Sequence, residues 1–123
     1  MPVSAREFER LVTEGLAMVP EEFRRMMENV AIVIEEEPDE ATRAELGLAE
    51  DETLFGLYSG TPLTERSLEH TGLPDKITIY RRPFLEEFDD AEEIRREVAR
   101  TVIHEIAHHF GIGEERLAEL GWD

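Results

Sequence analysis

A long amphipathic pattern that ends in a cluster of histidines constrains this chain most. Asp89 or Asp90 can cap a helix that runs to about Phe110. On a wheel of about 100° per residue, its apolar side chains share one face: Val98, Ala99, Val102, Ile103, Ile106 and Phe110. His104 and His108 fall together on the other side. The sequence therefore predicts one long helix packed on a core, with two histidines pointing away from it.

The two histidines have the spacing of a metal site. Residues 101–115 read TVIHEIAHHFGIGEE. Side chains four apart on a helix have Cβ atoms roughly 5–6 Å apart, so two imidazoles can bind one ion. Glu105 is about 100° round the wheel from His104, where it can accept a proton from water at the ion. We interpret His109, at the edge of the apolar stripe, as a packed or hydrogen-bonded structural residue.

A catalytic zinc site needs a third protein ligand and an open position. The chain has no cysteine, so histidine or a carboxylate must supply that ligand. Gly111 can end the helix in the left-handed conformation, after which Glu114 could reach the ion. The other candidates are Glu115, Glu119 and His70.

The remaining patterns predict an α+β domain with the element order α-α-β-β-β-α-α. Two helices are expected near the start, one after Ser4 and a short one after Pro20. Short β-branched or alternating runs predict three strands, at residues 30–34, 54–58 and 77–80. Residues 39–52 indicate one weak helical turn at most, and a last short helix is expected at about 114–120. A length of 123 residues fits one domain over residues 1–123.

The net charge limits the classes of partner that this protein is expected to bind. The formal net charge of −17 repels phosphate backbones, so no nucleic acid partner is expected. No apolar run is long enough for a signal peptide or a membrane span, which predicts a cytoplasmic protein without membrane contact. The lack of cysteine suits a reducing compartment. The oligomeric state stays open, with a homodimer as one outcome.

The segment HEIAHHFGIGEERLAELGW, with GLYSGTPLTERS and LPDKITIYRRP before it, closely resembles the minimal bacterial zincin-like metallopeptidases. The likeness covers most of the chain from Glu52 onward. It implies a compact zincin fold, a small twisted mixed sheet over the active-site helix, and one Zn²⁺ ion. It also implies His104 and His108 as metal ligands and Glu105 as the general base. Glu114 takes the acid position of the family pattern H-E-x-x-H-x-x-G-x-x-D.

Two features differ from related enzymes. Glu114 stands where the family typically has aspartate. All four methionines precede the motif, so the methionine turn of the metzincins is missing. Trp122 is a candidate for the apolar floor beneath the metal, or else a residue that docks the last helix.

The leading hypothesis is zinc-dependent hydrolysis of peptide bonds in a peptide or protein substrate. Tyr58 and Tyr80 are candidate donors to the anionic intermediate. The strand at 54–58 or the strand at 77–80 could bind substrate as an added strand. The alternatives are a zincin scaffold without turnover that serves as a metal-binding or protein-interaction module, and a regulatory protein that binds a partner through its acidic surface.

Overall fold

The computed structural model describes residues 3–60 and 75–123. These residues form six helices and three strands, which confirms the α+β class. In chain order they are α1 Ala5–Leu16, α2 Glu21–Met26, β1 Val30–Glu35, α3 Glu40–Leu46, β2 Gly56–Ser59, β3 Asp75–Tyr80, α4 Arg81–Glu87, α5 Ala91–Phe110 and α6 Glu114–Glu119. His70, one candidate ligand, lies outside the described residues. None of the helices in the described segments has the length and hydropathy to span a bilayer.

The sheet is mixed, with β3 between its two neighbours in the order β1-β3-β2. β1 runs parallel to β3, with Val30 opposite Asp75. β2 runs antiparallel to β3, with Gly56 opposite Ile79. The expectation that residues 77–80 could receive a substrate strand is wrong, because both edges of β3 are already paired.

The structure differs from the prediction at three places in the middle of the chain. Residues 39–52 contain α3, a helix of two turns rather than one weak turn, which Asp39 caps by accepting a hydrogen bond from the Thr42 amide at 2.8 Å. The second strand begins at Gly56 and not at residue 54. Helix α4 is missing from the prediction, because a proline such as Pro83 ordinarily stops a strand. Pro83 sits in the first turn of α4, where a missing N–H breaks no helical hydrogen bond.

The long helix α5 forms the centre of the core. Asp90 is its cap, and its carboxylate accepts from the Glu93 amide at 3.2 Å. The predicted apolar stripe is buried from Val98 to Ile106, whereas Phe110 is 49 % exposed. The prediction for Phe110 is wrong because this last helical residue extends past the side chains that cover the stripe.

Helix α1 packs closely against α5. Phe8, Leu11 and Val12 of α1 are buried in the shared core. At Gly15 a Cβ atom would lie 2.6 Å from the carbonyl oxygen of Arg95, so only glycine permits this approach. The close packing fixes α5, and with it the histidine motif.

Candidate metal centre

Three predicted ligands come together at the end of α5. His104, His108 and Glu114 each offer one ligand atom, and the three atoms lie within 4.8 Å of one another. The two imidazole centroids are 6.2 Å apart, with their planes at 83°. A tetrahedral zinc with bonds of about 2.0–2.1 Å would hold its ligand atoms roughly 3.4 Å apart. Small side-chain movements would close the group, and two imidazoles with a carboxylate are a donor set that suits zinc.

A glycine turn brings Glu114 to the histidines. Gly111 ends α5 with φ 73°, in the left-handed region that glycine adopts without strain. The Ile112 amide then donates to the Ala107 carbonyl at 2.8 Å, which closes the helix end. Glu114 follows as the first residue of α6. The group contains Glu114 rather than the alternatives Glu115 and Glu119, and Glu119 instead pairs with Arg116 at 3.1 Å.

Glu105 lies half-buried between its helix and β2. Its Oε1 atom accepts a hydrogen bond from the Tyr58 amide at 2.8 Å. Burial raises the pKa of the Glu105 carboxyl, while the Tyr58 hydrogen bond and the nearby His108 and His104 act in the opposite direction. A carboxylate with a raised pKa is a better proton acceptor than a solvated one. Glu105 is thus oriented by the strand and suited to take a proton beside the metal ligands.

The two tyrosines predicted as donors are placed differently from each other. The Tyr58 hydroxyl donates to Asp75 Oδ2 at 2.6 Å. Tyr80 is 3 % exposed. Burial also raises the pKa of Tyr80. The contribution of Tyr58 comes from its main-chain amide, which no side-chain pattern in a sequence can reveal.

His109 stacks on the ring of Tyr58. The ring centroids are 4.0 Å apart with an angle of 15° between the planes. His109 is exposed and does not belong to the ligand group. It therefore packs against another side chain, as expected, and its partner is Tyr58 of β2.

A cavity of about 340 Å³ opens beside the ligands. One wall is the chain from Thr53 to Gly56, and the other is α5, through Arg100, Thr101, His104, Glu105 and His108. The walls are close at Gly56, where a Cβ atom would lie 2.7 Å from the Thr101 methyl group. A substrate in this cavity would lie against both candidate metal ligands on α5 and Glu105.

Residues 121–123 fold back over the same face of α5. The carbonyl oxygen of Trp122 lies 2.7 Å from His104 Nε2. One turn earlier, Arg100 Nη1 donates to the main-chain oxygen of Asp123 at 2.5 Å. The Trp122 side chain packs on the edge of the core, as one of its predicted roles required. Its carbonyl contact with a ligand was not predicted, since main-chain contacts leave no pattern in the sequence.

Comparison with known proteins places this geometry in a family. A solved structure of a conserved hypothetical protein from Thermus thermophilus has a TM-score of 0.57 and 28% identity, covering 94% of this chain and 98% of that one. No curated protein matches. The family model described as zincin-like metallopeptidase matches residues 27–122, which include every candidate ligand named in the motif. The chain therefore belongs to the zincin-like metallopeptidase family.

Proposed function

We propose that this protein is a zinc-dependent peptidase, acting as one domain over residues 1–123 on peptide or protein substrates. One observation carries the proposal. The ligand atoms of His104, His108 and Glu114 lie within 4.8 Å of one another, and Glu105 on the same helix is held by the β2 main chain. Neither nucleic acid nor membrane is expected to be a partner, because the chain carries a net charge of −17 and no long apolar helix is described.

Each residue of the site has a separate role in the proposed reaction. His104 and His108 would hold one zinc ion with Glu114, and the ion would supply Lewis-acid polarisation of water and of the peptide carbonyl. Glu105 receives the proton from the attacking water and delivers it to the leaving amine. Its Oε1 atom is held by the Tyr58 amide, so we assign the proton transfer to Oε2.

The substrate would lie in the cavity between Thr53–Gly56 and α5. Of the predicted strand at residues 54–58, only the part before Tyr58 would pair with a substrate. The Tyr58 amide is engaged by Glu105, so pairing would use the chain before Tyr58, which lines the cavity. Main-chain pairing of this kind would give little selectivity for substrate side chains.

The test combines metal analysis with a peptidase assay on a casein-type protein substrate. Glu105→Gln should keep its zinc and lose activity by about 10²–10⁴-fold, the usual effect of a general base. Glu93→Gln, an exposed glutamate in the first turn of the same helix, is the control and should keep full activity.

Full activity in Glu105→Gln would contradict the assigned base. Zinc binding by the wild type with no hydrolysis at any metal load would instead favour the alternative, a zincin scaffold that binds metal or protein without turnover.

A further inference from the structure

We propose that residues 121–123 form a gate over the metal site, held shut by hydrogen bonds to α5. The gate rests on the proposed zinc site but does not require peptidase activity. The gate is itself a segment of this chain. It contacts His104, which is a candidate ligand, and Arg100, which lines the adjoining cavity.

The first contact competes with metal binding through Nε2 of His104. The Trp122 carbonyl can only accept a hydrogen bond, so His104 Nε2 must carry the proton when the two atoms are 2.7 Å apart. A ring nitrogen that carries a proton has no lone pair for a metal. His104 Nε2 can therefore bond to Trp122 or to zinc, but not to both at once.

The second contact fixes the end of the gate to the preceding turn of α5. Arg100 precedes His104 by four residues, so both side chains lie on the same face of α5. Arg100 Nη1 donates to the main-chain oxygen of Asp123 at 2.5 Å, and Arg100 Nε lies 3.5 Å from Glu97 Oε1. Main-chain oxygens of two successive residues are thus fixed to two successive turns of the helix that carries the motif.

The gate and the third ligand share one short helix. Glu114 is the first residue of α6, and the gate begins just after its last turn. Gly121 has φ 79°, and the Trp122 amide donates to the Leu117 carbonyl at 2.9 Å. Movement of Glu114 toward the histidines would therefore be transmitted through α6 to Trp122. We infer that zinc uptake opens the gate and that the gate lowers the affinity for zinc.

A substitution at Gly121 tests the gate without changing charge. Gly121→Val puts a β-branched residue at a positive φ where no atom would clash, so it disturbs the turn alone. Gly47→Val is the matched control, because Gly47 has φ 67°, is equally open, and ends the distant helix α3. Zinc would be titrated into each metal-free protein in competition with a chromophoric chelator.

Gly121→Val should bind zinc about fivefold to tenfold more tightly than the wild type and Gly47→Val do. A change in affinity of this size is expected from the loss of one or two competing hydrogen bonds. Equal affinity of all three proteins would overturn the gate, and so would weaker binding by Gly121→Val, the result expected if His104 binds zinc through Nδ1 while its Nε2–H donates to Trp122.

Trp122 provides an independent signal, because it is the single tryptophan of the chain. Its emission should move to longer wavelength in proportion to bound zinc as the gate opens, and an unchanged spectrum at zinc saturation would overturn the gate. Tighter zinc binding in Gly121→Val without any peptidase activity would support the proposed gate and reject the proposed peptidase function. Failure of every variant to bind zinc would reject both.

Discussion

At the scale of single residues, the three candidate ligands differ in how firmly they are held. His104 is half-buried, whereas His108 and Glu114 are exposed. Exposure leaves these two side chains freer to move toward an ion. It also makes the identity of the third ligand easy to test, because an exposed glutamate can be replaced without loss of core packing.

Glu114→Gln should weaken zinc binding by on the order of 10–100-fold or more, since loss of even an outer partner of a metal site has that effect. Glu115→Gln is the matched control, because it removes the same charge from the next residue of α6 and should leave affinity nearly unchanged. Isothermal titration would measure both. Equal weakening by the two substitutions would mean that the site responds only to charge.

Much of the site could be predicted because its chemistry resides in side chains at fixed spacing. The candidate ligands His104 and His108, the candidate base Glu105 and the turn at Gly111 all follow from the helical repeat and the end of the helix. The structure adds two main-chain groups, the Tyr58 amide and the Trp122 carbonyl. Any residue can supply these groups, so only the fold reveals them.

At the scale of elements, the contact between α1 and α5 fixes the motif. Gly15→Ala should destabilise the protein by about 1–3 kcal/mol, as overpacking of a core usually does. The new Cβ would lie 2.6 Å from the Arg95 carbonyl oxygen, which outweighs the better helix propensity of alanine.

Gly113→Ala is the control for that measurement, because nothing lies within 4 Å of its Cβ position, and as the N-cap of α6 it should cost less than about 1 kcal/mol, the difference between glycine and alanine at a cap. Urea unfolding would compare the two variants. A Gly15→Ala protein as stable as the wild type would show that the helices can separate at little cost.

An ion pair between the same helices predicts a pH dependence. Arg95 Nε donates to Glu14 Oε1 at 2.7 Å, and this hydrogen bond lowers the pKa of Glu14. A carboxyl whose pKa is lowered by folding stabilises the protein above its unfolded pKa of about 4.5, and this contribution is lost as the pH falls through the folded value.

The free energy of unfolding of Glu14→Gln should therefore fall less steeply than that of the wild type as the pH is lowered below about 5. Glu9→Gln, on an exposed position of the same helix, should keep the wild-type slope. Urea unfolding at a series of pH values would measure these slopes, and identical slopes for all three proteins would contradict the role of the pair.

The elements that the sequence did not predict depend on contacts made elsewhere. The loop after α3 is tied to Arg43, whose Nη2 atom donates to the carbonyl groups of Ala49 and Glu52 at 2.6 and 2.9 Å. Helix α4 begins directly at the end of β3, so its start has no separating loop. Long periodic segments such as α5 were predictable because burial of one face dominates their conformation.

At the scale of the whole molecule, the dominant feature is the net negative charge. With a net charge of −17 the folded chain repels itself, and salt screens this repulsion over a Debye length of about 10 Å at 0.1 M. The thermal unfolding midpoint of the metal-free protein at pH 7 should therefore rise as sodium chloride is added. Scanning calorimetry between low and high salt would measure it, and a falling midpoint would mean that the ion pairs outweigh the repulsion.

The central position of β3 also matters while the protein is being made. In the described part of the chain, β1 and β2 each pair with β3 and not with each other. A nascent chain that has reached residue 60 therefore carries two strands whose native partner has yet to leave the ribosome. The sheet cannot grow strand by strand from the first residue, so we expect the domain to assemble in one late, concerted step.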